Sequence, residues 1–181
     1  PPWNARRPDP RMPPLRPDNL EDGTVLLRSS LLERCGFRHA FSTAVGPEGT
    51  GFDLSPADGS PVETPKDRLA RNLASFVAAV SPHGVLATAR QVHGTRLVDA
   101  RRAGTASADL VASHDPDFIA AVRTADCVPI LLGCRRRGEV VAIHAGWRGL
   151  VADAPGIGVR HLLEAGSETE DLVAAIGPAI G

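Results

Sequence analysis

Two histidines and a cysteine carry the chemistry this chain can be expected to do. His93 lies in "RQVHG" (90–94), Cys127 in "RTADCVPILLGC" (123–134) and His144 in "VVAIHAGWRG" (140–149). Each closes or interrupts an apolar run, where a polar side chain is costly unless it finds a partner. Two imidazoles and one thiolate from three strands make a His₂Cys set with a fourth position open. That is the pattern of a catalytic zinc site and not of a closed structural one. Plainer readings exist for each residue. A histidine after a strand is ordinarily a turn residue or a hydrogen-bonded core imidazole, and a cysteine in an apolar run ordinarily packs as a small hydrophobe. The tight ligand motifs HExxH and CxxC are absent.

The neighbours of the trio extend the site. Asp126, beside Cys127, is a carboxylate in an apolar stretch and is expected either to orient a ligand or to take part in chemistry. On a regular strand it faces away from Cys127, so it is not a ligand. Arg148 stands just before a weak helix, where free backbone N–H groups favour an anion, and its guanidinium can hold phosphate through two parallel hydrogen bonds. Trp147 can cover a flat ligand such as a purine, although packing in a core is its commoner role. Gln91, in the segment of His93, is grouped with these two as a substrate or phosphate contact.

These side chains need elements to hold them. Period-two alternation in "EVVAIHA" puts Val140, Ala142 and His144 on one strand face and Val141 and Ile143 on the other. Further strands are expected at "VLATARQVH", "TRLVDA", "ADLVAS", "FIAAVRTADCVPILLG" and "DLVAAIG", and a short one at "GFRHAFSTA". The clearest helix is "TPKDRLARNLASFVAAV". Thr64 caps it, Pro65 fits its first position, and Leu69, Leu73, Phe76, Val77 and Val80 recur at helical spacing. A weaker helix is expected over 154–165. Several strands with few helices imply an α/β domain, a mixed sheet flanked by helices.

Composition narrows the function classes. A chain of 181 residues with 43% hydrophobic content supports one domain, placed at 20–181. Residues 1–19 are rich in Pro and Arg and read as a flexible tail. A net charge of −1 offers no field for nucleic acid or a membrane surface. Three cysteines in no framework spacing point to a reducing compartment, and no apolar run approaches a membrane span. A cytoplasmic monomer is expected.

Five stretches, "RQVHGTRLV", "ADLVAS", "RTADCVPILL", "VVAIHAGWRGL" and "AAIGPAIG", resemble the ordered motifs of the YfiH or laccase-domain family over about residues 36–181. Its members carry the labels polyphenol oxidase and purine nucleoside phosphorylase. The resemblance implies a single-domain α/β fold related to cysteine-hydrolase toxins, with zinc held by residues that map onto His93, Cys127 and His144. It also implies phosphorolysis of adenosine, inosine and methylthioadenosine, and deamination of adenosine. Zinc is thus the expected cofactor, with purine nucleoside and phosphate as small-molecule partners.

Three alternatives stand beside this reading. They are copper-dependent oxidation of phenols, which six histidines serve poorly, a metal-free hydrolase with Cys127 as nucleophile, and a non-catalytic nucleotide-binding or accessory protein. The chain departs from the family at "FSTAVGPEGTGFDLS", where Ala44 stands in place of an arginine, and at Pro155 and Gly156, which are expected to interrupt the helix after "GWRG". Relatives continue past "GPAIG". The last strand is therefore expected to lack a cover and to leave Leu172, Val173 and Ile176 unusually exposed.

Overall fold

The computed structural model describes residues 14–49, 51, 52, 54 and 66–180. Among these residues ten strands and four α-helices follow the order β1 (Leu15–Asn19), β2 (Val25–Ser29), α1 (Ser30–Arg34), β3 (Phe41–Ser42), α2 (Lys66–Val80), β4 (Val85–Ala87), β5 (Leu97–Asp99), β6 (Leu110–Ser113), β7 (Phe118–Ala120), β8 (Val128–Cys134), β9 (Val140–Ala145), α3 (Trp147–Val151), α4 (Ala154–Glu164) and β10 (Leu172–Ile176). The central sheet has five strands in the order β10-β8-β9-β6-β5. All its pairs are antiparallel except β5 with β6. A three-stranded sheet, β1-β2-β3, and a parallel pair, β4-β7, complete a mixed α/β arrangement.

The core lies between the central sheet and α4. Ile130, Leu132, Val141, Ile143 and Leu162 form one buried cluster with Leu110 and Ala154. The helix approaches closely because Gly158 has no side chain: a Cβ there would lie 2.7 Å from Ile143 Cδ1 and 2.9 Å from Leu132 Cδ1. A second cluster, with Leu32, Phe41 and Ala175 at its centre, joins the three-stranded sheet to β10 and β8. Here Phe37 lies over Gly133, whose absent Cβ would otherwise meet the ring at 2.6 Å.

Several expectations change. Residues 15–19, assigned by composition to a tail, form β1 and pair along their whole length with β2; residues 1–13 lie outside the described residues, as do Thr64 and Pro65. The single strand expected over 118–133 is two, β7 and β8, because Arg123, Thr124, Ala125 and Asp126 are exposed and break the apolar run. "GWRG" is not a turn but the start of the short helix α3. Pro155 does not interrupt a helix: α4 begins at Ala154, so the proline falls in the first turn, where its missing N–H costs nothing. Asp153 caps this helix, accepting from the Gly156 N–H. Ile176 is 54% exposed, whereas Leu172 and Val173 are partly buried against the two clusters. Among the described residues no helix is long and apolar enough to cross a membrane.

Candidate metal centre

His144 is the fifth residue of β9 and is 3% exposed. It shares a face with Ala142, opposite Ile143, as the alternation requires. Cys127 immediately precedes β8 and His93 lies in the turn before β5; neither is inside a strand as expected. Strand pairing brings the first two together, since Pro129 of β8 stands opposite His144 and Val128 opposite Ala145. The ligand atoms of His93, Cys127 and His144 all lie within 4.8 Å of one another, and no other group of three metal-ligating side chains occurs among the described residues. The two imidazoles meet edge to face, their centroids 4.8 Å apart.

A buried carboxylate absent from the expected site holds this geometry. Asp109, fully buried just before β6, accepts from the Val92 N–H (3.2 Å), the His93 N–H (2.9 Å) and the Gly94 N–H (2.8 Å). Its Oδ1 also lies 2.8 Å from His144 Nδ1, and its carbonyl accepts from the His144 N–H at 2.8 Å. Successive amides around a left-handed residue form a concavity for an anion, and His93 is that residue, at φ 58°. Burial acts most strongly on the Asp109 carboxyl and pushes its pKa up. The hydrogen bonds from His144 and from the Gly94, Val92 and His93 amides together outweigh burial and hold it below the usual carboxylate value.

The remaining expected residues divide. Asp126 is exposed, and its carbonyl accepts from the Ile180 N–H at 3.1 Å. Gln91 is bonded at both ends of its amide to the Arg123 backbone, donating to its carbonyl at 2.6 Å and accepting from its N–H at 2.8 Å. It thereby pins the loop that leads to Cys127. Trp147 is 68% exposed, with the Arg148 guanidinium 4.9 Å from its ring centroid. Both follow Gly146, which packs directly on His93 and Cys127. Asp109 carries the signal assigned above to Asp126, a carboxylate against an apolar run. In "ADLVAS" that run is buried throughout. A cleft of about 1490 Å³ between the three-stranded sheet, α2 and the 121–126 loop includes Asp126 and Ala44 but none of the His₂Cys trio, which therefore lies outside this cleft.

The donor set fits zinc in kind. Imidazole and thiolate suit a borderline cation, and three protein ligands leave a position open. Ligands on one tetrahedral zinc stand about 3.5 Å apart, so the set closes by a small shift, for which the exposed His93 ring has room.

Residues 41–181 match the family model described as multi-copper polyphenol oxidoreductase laccase. The chain belongs to this family. It is 34% identical over 164 residues to a purine nucleoside phosphorylase of Deinococcus radiodurans, a match covering 87% of this chain and 61% of that protein. The purine nucleoside phosphorylase YfiH of Escherichia coli is 43% identical over 94 residues, 50% of this chain and 37% of its own length. The crystal structure of YfiH from Bacillus licheniformis superposes with a TM-score of 0.75 over 93% of this chain and 66% of its own, at 22% identity, and thereby supports the fold. The chain thus spans less than two thirds of the length of each of these relatives.

Proposed function

We propose that this chain carries the metal-binding part of a zinc-dependent purine nucleoside phosphorylase that accepts adenosine, inosine and methylthioadenosine and also deaminates adenosine. The observation that carries this reading is the convergence of His93, Cys127 and His144 around the buried carboxylate of Asp109. The names of its relatives supply the substrate class. All three donors come from one chain, which suits a monomer, and a thiolate ligand suits a reducing cytoplasm.

Bound zinc would supply Lewis acidity toward water for the deamination. In phosphorolysis a phosphate oxygen attacks the ribose anomeric carbon, and the bond to the purine nitrogen breaks with its electron pair leaving on the base. Arg148, exposed four residues after His144, orients the phosphate through its planar fork. Trp147 offers a purine the ring face that Arg148 does not cover. Gln91 and Asp109 act on position: one braces the Cys127 loop and the other braces the His144 ring and the His93 backbone.

A second reading, with Cys127 as a metal-free nucleophile, rests on the same proximity of a thiol to two imidazoles. Copper oxidation of phenols ranks below both, because His39 and His161 are hydrogen-bonded elsewhere, to Ser29 and Glu139. The deciding assay supplies inosine and phosphate to the zinc-loaded chain. Phosphate-dependent release of the free base with ribose 1-phosphate is expected. Base release that ignores phosphate, or none, contradicts phosphorolysis, and activity that survives complete metal removal favours the thiol nucleophile.

A further inference from the structure

We infer that Asp109 is the positioning residue of this site: it fixes His144 with the proton on Nδ1 and holds the His93 turn, so that both imidazoles face Cys127. The consequence for metal binding rests on the zinc reading; the tautomer does not. Both Asp109 oxygens accept backbone N–H groups, Oδ1 from His93 and Oδ2 from Gly94, so this carboxylate acts as an acceptor. The 2.8 Å contact from His144 Nδ1 to Asp109 Oδ1 therefore places a proton on Nδ1, and in the neutral ring the lone pair is then on Nε2. His144 is pinned at its backbone as well, through the 2.8 Å bond from its N–H to the Asp109 carbonyl. His144 is thus held at two points, ring and backbone, by one residue.

The same carboxylate shapes the third segment. Non-glycine residues are held in the left-handed region only against steric strain, and His93 occupies it. Asp109 Oδ1 takes the His93 N–H, and Oδ2 takes the Gly94 N–H. Val92 donates to both oxygens at 3.2 Å. Three consecutive amides converge on one buried anion, which stabilises the strained turn and sets the direction in which the His93 ring leaves the backbone. The turn is also confined from the other side: a Cβ on Gly149 of α3 would lie 3.3 Å from the Gly94 carbonyl. An asparagine cannot replace this carboxylate. With its amide nitrogen at the Oδ2 position it meets the Gly94 and Val92 N–H groups. At the Oδ1 position it meets the His93 N–H and the His144 Nδ1–H. Either orientation opposes two donors in a buried place and removes the charge that makes His144 a stronger ligand.

The test combines ¹⁵N NMR of the histidines in the metal-free chain with competition titration of Zn²⁺ against a chromophoric chelator, for wild type and Asp109→Asn. Wild-type His144 is expected as the Nδ1–H tautomer at pH 8, and Asp109→Asn is expected to bind zinc about 10–100-fold more weakly while keeping its fold. A wild-type His144 carrying its proton on Nε2 overturns the inference, as does unchanged affinity in a folded Asp109→Asn variant. If wild type binds no zinc, the metal reading fails and the tautomer still decides the role of Asp109. The tautomer also decides it if Asp109→Asn does not fold.

Discussion

Gly146 occupies a place where a Cβ fits only if a neighbouring side chain gives way. A Cβ there would lie 2.9 Å from His93 Cδ2 and 3.2 Å from Cys127 Sγ, although its φ of −70° would suit alanine. The obstacle is purely steric, and the exposed His93 ring is the part free to yield. Gly146→Ala is therefore expected to loosen zinc binding by on the order of tenfold, the scale of a modest overpacking penalty. Chelator competition measures the loss, and an unchanged affinity would show that the three side chains do not work as a unit. Arg148 has a different signature. If its fork orients phosphate, Arg148→Lys weakens phosphorolysis several-fold more than deamination, because an ammonium cannot make two parallel bonds. Parallel losses in the two rates would assign Arg148 to the structure of α3. At this scale the sequence made His93, Cys127 and His144 legible because each is a polar group against apolar neighbours. Asp109 obeys the same rule. Asp126 drew the attention instead because it adjoins Cys127, and adjacency along the chain says little about which carboxylate is buried.

The elements differ in how openly the sequence declared them. α2 and α4 stand where helical spacing puts them, and β9 keeps its predicted faces. The strand expected to end at His93 stops at Ala87, because the segment beyond is shaped by a tertiary contact, the Asp109 carboxylate, that no local pattern encodes. Packing of α4 on β9 has a measurable scale. Leu162 is fully buried in that contact, so Leu162→Ala is expected to lower stability by about 2–5 kcal/mol. The denaturant midpoint reports it; a loss well under 1 kcal/mol would mean that the helix adds little to the core. The three-stranded sheet carries a pH dependence. His39 is buried between β2 and β3, with Nε2 accepting from the Ser29 N–H and Nδ1 donating to the Phe37 carbonyl. Desolvation, chiefly, pushes its pKa down; the Phe37 bond opposes this and the Arg28 charge adds to it. Its folded pKa is thus below the unfolded value of about 6.5. The unfolded chain takes up the proton first, so this contribution is intact above that pH and is lost as pH falls from there toward the folded pKa. Comparing wild type with His39→Gln across pH 7.5 to 5 should show the wild type losing stability faster. Parallel slopes would assign the acid sensitivity to other groups.

Across the whole molecule the α/β class and the mixed sheet followed from strand runs with few helices between them, while the division into three sheets did not. That division depends on which edges pair, and the pairing of β1 with β2 arises in a Pro- and Arg-rich stretch whose composition argued against any strand. The fold brings residues 93, 127 and 144 to one point through β-sheet register and a single buried aspartate, and the function argued above stands on that convergence. Metal stoichiometry of the purified chain, by elemental analysis of wild type beside Cys127→Ala, addresses it most directly. About one zinc per chain in wild type and almost none in a folded Cys127→Ala are expected. A wild type free of zinc under zinc-replete conditions, or a Cys127→Ala variant that keeps a full equivalent, would contradict the assignment.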